Sequence, residues 1–476
     1  MHIPETGLSK EEIAATLHAF KARDMDWKSG RVWCYVYNSG DDSQEVTKQA
    51  YMSYLTENGL DPSVFPSMLK LETDVVRAII NLLRGDQRAV GHLTSGGTES
   101  IILAVKTARD RARTLRPEIS QPEMILPRSA HGAFHKAAHY LNVKPVMVEI
   151  DPDTFQVRPE DIQAAITQNT VLMVASAPSY SQGVIDPIAE IGQIAEQAGI
   201  LLHVDACVGG VHLSYMRQRG HKIPAFDFSV PGVTSISTDL HKYGYAAKGC
   251  SVIMYRDKDI RKYQLFACTE TTCYTLINTT VLSSKSGGPM AAAWALLNYL
   301  GNQGYGRIVD TVQQATERLI QGINAIDGLY VLGKPAMCMF SFASDSVNVY
   351  MLADQMAKRG WFLQPQFSTP RTARNLHISV NYGTCGAVDA MLTDLQQCVQ
   401  IVKQNPQIDT AVVRQLVDGA LQSPDPAAAF DALASQAGLS GTELPTEFAM
   451  INEILDSLPS HLCNQFLINF FNDLYV

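Results

Sequence analysis

The sequence predicts an α/β protein: a mostly parallel, seven-stranded sheet followed by a smaller C-terminal α+β domain. Three observations carry this. Seven short β-prone runs alternate with helical patterns between residues 90 and 255, the order that builds a parallel sheet from strand–helix units. Runs such as Val171-Leu172-Met173-Val174 are apolar without a break, as strands covered on both faces must be. After Gly306 the alternation gives way to one long helical pattern and shorter strands.

The chain opens with Ser9-x-x-Glu12, a capping box ahead of Ile13, Leu17 and Phe20. It predicts an amphipathic helix and not a signal peptide. Residues 1–60 read as a helical and aromatic segment that includes Trp33-Cys34-Tyr35-Val36-Tyr37. The large domain is expected over 61–305. Its strands fall at Val90–Leu93, Met124–Leu126, Pro145–Ile150, Val171–Ala175, Ile200–Val204, Thr234–Ser237 and Ser251–Tyr255. Helices fall between them at Glu99–Thr114, Ala133–Leu141, Pro159–Ile166 and Pro187–Ala198. The small domain, 306–405, has a helix over Ile308–Ile326 and strands near Leu329–Leu332, Cys338–Phe342 and Leu376–Val380. Residues 406–476 read as a helical extension. Within it, 407–440 is rich in alanine, glutamine and aspartate and is expected to be partly mobile. The apolar end, with Leu462, Phe466, Leu467, Phe470, Phe471 and Leu474, reads as a helix docked on the body or on a partner subunit.

A chain of 476 residues is too long for one core, which agrees with this division. The hydrophobic fraction of 46% and charged fraction of 18% are those of a soluble globular protein. The net charge of −9 argues against nucleic acid as a partner. The nine cysteines are scattered, with no C-x-x-C pair, which points to reduced thiols, a cytoplasmic location and no structural metal. No run of about 18 apolar residues is present, so no transmembrane segment is expected.

Four stretches carry chemistry, each at the end of an expected strand. Thr94-Ser95-Gly96-Gly97-Thr98-Glu99-Ser100 opens a helix, where two glycines and free N–H groups suit a phosphate monoester. Taken alone, it reads better as a turn capped by Thr98. His131, in Ser129-Ala130-His131-Gly132, sits where open α/β sheets place ligands, although a lone histidine there is more often a cap. Asp205, in His203-Val204-Asp205-Ala206, is an acid at the tip of a buried strand and needs a positive partner. It also suits a helix N-cap; a metal site shared with His203 is the other option, but i, i+2 residues on a strand do not converge as chelating helical pairs do and no further ligand cluster accompanies them. Lys242 and Lys248 lie in Ser237-Thr238-Asp239-Leu240-His241-Lys242-Tyr243-Gly244-Tyr245-Ala246-Ala247-Lys248-Gly249, between two apolar strands. A lysine there calls for a chemical reason, and burial with neighbouring positive charge is expected to lower its pKa toward a nucleophilic amine.

Together, in this order, the four stretches resemble the fold-type-I pyridoxal-phosphate enzymes. The fuller wording T-S-G-G-T-E-S, S-A-H-x-A-F-x-K-A-A, G-V-I-D-P, H-V-D-A-C-x-G-G and S-I-S-x-D-x-H-K-Y-G-Y-A-x-K-G resembles the sphingosine-1-phosphate lyase branch of the group II decarboxylase-like family. The resemblance covers roughly Gly30 to Tyr305.

The resemblance implies that Lys242 holds the cofactor pyridoxal 5'-phosphate, Asp205 pairs with its ring nitrogen and His131 stacks on the ring. Gly96, Gly97, Thr98 and His241 contact its phosphate. Gly287 and Gly288 do so from the partner subunit of a homodimer. Lys248, Tyr37 and Asn58 face the substrate phosphate. The implied reaction is retro-aldol cleavage of a phosphorylated sphingoid base to a long-chain aldehyde and phosphoethanolamine. The alternative is decarboxylation of an amino acid on the same scaffold.

The chain departs from the family pattern in three places. Asp61 stands where a phosphate-binding histidine is usual, and a carboxylate there is unfavourable beside a phosphate dianion. It could instead pair with Lys248 or favour another substrate. Lys285 stands where arginine is common, and Ser179-Tyr180-Ser181-Gln182 replaces a differently built loop. A third reading, a fold that has lost activity, is opposed by intact Lys242, Asp205 and His131.

Overall fold

Seven strands pair into one sheet in a computed structural model that describes residues 2–272, 274–405, 408–425, 429–430, 432–433 and 445–475. They are β1 (Val90–Thr94), β2 (Glu123–Pro127), β3 (Lys144–Val148), β4 (Thr170–Ser176), β5 (Leu201–Asp205), β6 (Val233–Asp239) and β7 (Ser251–Tyr255). The order is β1-β7-β6-β5-β4-β2-β3, and β7 alone runs against its neighbours. The reason is length. The stretch from β6 to β7 is too short for a helical crossover, so the chain must turn back on itself.

β4 shows how an unbroken apolar run is used. Leu172 and Val174 join one core with Ile101 and Val105 of the helix Gly97–Leu115 and Phe134 of the helix Ala133–Leu141. Met173 and Ala175 join the opposite core with Ile188 and Ile191 of the helix Ile188–Ala198. Both faces are dry, as a parallel sheet requires.

The hairpin β8 (Phe266–Cys268) and β9 (Leu276–Asn278) precedes a helix running from Gly287 to Ala325, interrupted at Gly301, where φ is 54° and ψ −176°. The sequence pattern locates only its second half, because Gly301 and Gly304 break the periodicity. Beyond it, β10 (Leu329–Val331), β11 (Met339–Ser344), β12 (Gln364–Gln366) and β13 (Asn375–Ser379) form an antiparallel sheet of order β10-β11-β13-β12. Its edge strand β12 is absent from the sequence expectation, since Gln364-Pro365-Gln366 carries a proline that only an edge accepts.

The segment 31–37 is pinned to this small sheet. Trp33 is buried, its backbone N–H donates to Phe362 O, and its backbone carbonyl accepts from Ser379 N. The anchor carries Tyr35 and Tyr37 toward the edge of the large sheet.

The capping box forms as expected, but the helix Lys10–Phe20 buries no residue, and Ile13, Leu17 and Phe20 stay exposed. Of the stretch 407–440, Thr410–Leu421 is helical, and part of the rest lies outside the described residues. The chain end forms two helices, Ala449–Ser457 and Ser460–Leu474, divided at Pro459. Among the described residues, no helix is long and apolar enough to cross a membrane.

Candidate active site

The carboxyl ends of β1, β2, β4, β5 and β6 meet at one edge, and the loops that leave them wall a cavity of about 370 Å³. Gly96, Gly97 and Thr98 come from the β1 loop, His131 from the β2 loop, Tyr180 from the β4 loop, Asp205 from the tip of β5, and Asp239, His241 and Lys242 from the end of β6. Parallel strands place their termini side by side, so residues remote in sequence converge. A second cavity of about 240 Å³ shares Ser95 and Glu99 with the first and holds Lys248.

The helix Gly97–Leu115 starts without a side-chain cap, so Thr98 is not the cap that the isolated motif suggested. Its leading N–H groups are left for an anion. Glu99 is buried and ties the loop down: Oε2 accepts from Ser95 N at 2.6 Å, and Oε1 from Val281 N at 2.7 Å. A side chain at position 97 would collide with Asp239, since a Cβ there falls 2.7 Å from Oδ2.

His131 Nδ1 accepts from Ala133 N at 3.1 Å, so it caps a turn while its ring lines the cavity. Asp205 is buried, and Oδ1 accepts from Cys207 N at 3.0 Å. The metal alternative falls away: His203 Nδ1 and Nε2 face Ser235 Oγ and Ser237 Oγ at 2.9 and 3.1 Å, not Asp205. Burial takes the His203 pKa down to about 4.

Lys242 Nζ lies 2.9 Å from Asp239 Oδ2, with the side chain 20% exposed. Burial works to lower the lysine's pKa, but the Asp239 carboxylate, helped by Cys207 and Tyr37, outweighs it and holds the pKa well above the ordinary value. This corrects the expectation that neighbouring positive charge sets the lysine's titration. His241 Nε2 is 3.8 Å from Asp239 Oδ2, and burial takes its pKa below the usual histidine range.

Lys248 Nζ donates to Tyr35 O at 2.8 Å and sits 4.9 Å from the centre of the Tyr37 ring. That ring packs edge-on against Tyr243, with centroids 5.0 Å apart. Burial, with Lys242 adding, lowers the Lys248 pKa.

The structure brings Gly96, Gly97, Thr98, His131, Asp205, His241 and Lys242 together around one cavity, with Lys248 and Tyr37 beside it. Within one chain it does not bring Asn58, Asp61, Gly287 or Gly288 into that cavity. Asn58 Oδ1 accepts from Lys285 N, and Gly287 and Gly288 pack against Tyr54 and Tyr51. Asp61 is exposed and spends Oδ1 on Ser63 N and Ser63 Oγ, so its pairing with Lys248 does not form here. Lys285 is committed to Glu72 at 2.6 Å, which also faces His92 Nδ1 at 3.2 Å.

Asp239 and Tyr180 are among the cavity residues not singled out from sequence. Asp239 ends a buried strand, as Asp205 does, and the same argument about a buried acid would have found it. Tyr180 was noted only as part of a substituted loop. Its ring stacks on His377 with centroids 4.2 Å apart, and its hydroxyl donates to Gln364 Oε1 at 2.6 Å. No local pattern announces that contact, because Gln364 and His377 belong to the other domain.

A family model described as the pyridoxal-dependent decarboxylase conserved domain matches residues 24–344. A second, described as a C-terminal putative HTH domain of pyridoxal-dependent enzymes, matches residues 413–473. The sphingosine-1-phosphate lyase of Oryza sativa is 40% identical over 85% of this chain and 75% of that protein. The one from Arabidopsis thaliana is 37% identical over 89% of this chain and 78% of its own. Among solved structures, a sphingosine-1-phosphate lyase from Burkholderia pseudomallei superposes with a TM-score of 0.81 at 35% identity, covering 89% of this chain and 97% of that one.

Proposed function

Because the chain belongs to the pyridoxal-dependent decarboxylase family, and within it stands with the sphingosine-1-phosphate lyases, we propose that it cleaves a phosphorylated sphingoid base to a long-chain aldehyde and phosphoethanolamine. The observation that carries the substrate is Lys248: an exposed ammonium beside the Lys242 cavity, held by a carbonyl and an aromatic face, with no carboxylate ion-paired to it among the described residues. A cation so placed is suited to an anionic group on the substrate.

The residues present fit pyridoxal phosphate. The uncapped helix start at Gly96–Gly97 suits its phosphate, and Asp205 suits its ring nitrogen. Asp239 Oδ1, buried and without a hydrogen-bond partner, shows polar capacity still to be used. When bound, the cofactor supplies a covalent anchor for a primary amine and an electron sink for the bond that breaks. Lys242 supplies the amine that holds it, and Asp239 stands ready to hold that amine as an ammonium. His131 would flank the ring, while Gly96, Gly97, Thr98 and His241 would hold the phosphate end. Lys248 and Tyr37 hold the substrate phosphate and so fix which carbon–carbon bond lies in the cavity.

We assign Asn58, Asp61, Gly287 and Gly288 to the cavity of a second copy in a homodimer. Exposed apolar side chains near them, including Met52, Leu55, Val64, Leu69, Val281 and Leu282, support this, since they are surface a second copy would cover. The eight described cysteines are all free, which supports a cytoplasmic location.

The test is incubation of the purified protein with a phosphorylated sphingoid base, reading aldehyde and carbon dioxide together. Aldehyde is expected. Carbon dioxide from a free amino acid, without aldehyde, would assign the chain to the decarboxylase chemistry of the wider family.

A further inference from the structure

The C-terminal helices have no place in the chemistry above. Residues 413–473 match a putative HTH domain, yet they hold eight Asp and Glu against one Arg and no Lys. That charge repels a nucleic-acid backbone. The polar contacts of the helix Ala449–Ser457 point inward instead.

Asp456 Oδ1 accepts from Ser368 N at 2.6 Å and from Ser368 Oγ at 2.9 Å. Glu453 is fully buried and accepts from Arg374 Nη1 at 2.6 Å and from Asn348 Nδ2 at 2.9 Å. Arg374 Nε also lies 3.6 Å from Asp456 Oδ2, and its guanidinium sits 5.3 Å from the centre of the Tyr350 ring. The helix is itself seated by Asp354, which accepts from Phe448 N and Ala449 N. Two carboxylates on one helix thus grip both ends of the loop that joins β12 to β13.

That loop is a wall of the cleft. Gln366, Phe367, Thr369 and Thr372 line a cavity of about 490 Å³ that also touches His131 and Tyr180. Burying carboxylates is costly unless each is fully paired, and here the pairing falls on the cavity wall.

We propose that the C-terminal helical module is a clamp on the mouth of the active site. Through Glu453 and Asp456 it holds the 367–374 loop in place, and these two are positioning residues that set which substrates enter. The proposal rests on the reading of the Lys242 cavity as the active site.

The experiment uses the full chain loaded with pyridoxal phosphate, with Asp456→Asn and Glu453→Gln beside it. Arg371 is exposed in the loop and offers trypsin a cut. Cutting there is expected to run roughly tenfold faster in either variant, because the loop opens more often once a charge-assisted hydrogen bond is gone. KM for phosphorylated amino alcohols is expected to rise and to discriminate less between short and long chains, with kcat and the cofactor's visible band unchanged. Asp456→Glu, which keeps the carboxylate, should restore slow cutting. Unchanged cutting and unchanged KM in both variants would overturn the clamp, as would kcat falling in step with thermal stability while chain-length preference stays fixed. Should both variants fail to fold, Ser368→Ala removes one hydrogen bond without stranding a charge. It should cut faster, and an unchanged rate would count against the clamp. A protein that held no cofactor would sink the active-site reading while the proteolysis still judged the clamp.

Discussion

Asp239 Oδ2 lies 2.9 Å from Lys242 Nζ, so the acid three residues before the lysine governs its charge. The pairing works on both partners. The Lys242 pKa rises above its ordinary 10.5 although burial opposes this, and the Asp239 pKa falls below its ordinary 3.8, again against burial. Their contribution to stability is therefore present across the neutral range. It is lost as pH rises through the raised lysine value, or falls through the lowered acid value.

Asp239→Asn should make Lys242 easier to deprotonate, since burial is then opposed by less negative charge. Loading of pyridoxal phosphate needs the free amine, whose fraction falls tenfold for each pH unit below the lysine pKa. The variant should load at least about tenfold faster near neutral pH while unfolding at lower temperature. Mixing the apo-protein with cofactor and following the visible band between about pH 6 and 9 checks this. Equal or slower loading would refute it.

Glu72 gives an acid-limb prediction. Burial pushes its carboxyl up, but hydrogen bonds and charge from His92 and Lys285 win and take the pKa to about 2 from an ordinary 4.5. Its contribution is present above pH 4.5 and lost as pH falls toward 2. Glu72→Gln should cost about 3 kcal/mol at neutral pH and less in acid, measured by denaturant unfolding across that range. A constant difference would mean the carboxylate's charge is not the source.

Lys248→Ala should leave cofactor binding intact and raise KM for a phosphorylated substrate by roughly 10- to 100-fold, the worth of one charge-assisted hydrogen bond. Lys242→Ala should instead abolish the visible band. If Lys248→Ala keeps its KM, the phosphate lies elsewhere.

Gly97→Ala should weaken cofactor binding without unfolding the protein. The new Cβ would stand 2.7 and 2.8 Å from the two Asp239 carboxylate oxygens, so either that side chain or the loop must move. Equilibrium titration with cofactor is the measurement, and wild-type affinity would show that the loop yields at no cost.

Particular residues show where legibility stopped. Val171–Val174 announced a buried strand because apolar continuity is a local property. Lys242 and Asp205 were legible because charges on such strands demand a reason. Tyr180 was not, since its partners Gln364 and His377 come from the small sheet. Nor were Glu453 and Asp456, ordinary acids in an acidic helix until Arg374 and Ser368 meet them.

By itself the sequence determined the seven strands, their covered faces and the loops that meet at one cavity. These follow from hydrophobic periodicity and from the expense of burying charge. Tertiary structure alone decided that Asp239 is the partner of Lys242, that Lys248 is left with an aromatic face and a carbonyl, and that the chain's end grips the mouth of the cleft. Each depends on distances between segments remote in the chain, and electrostatic energies vary with those distances, not with position along the backbone.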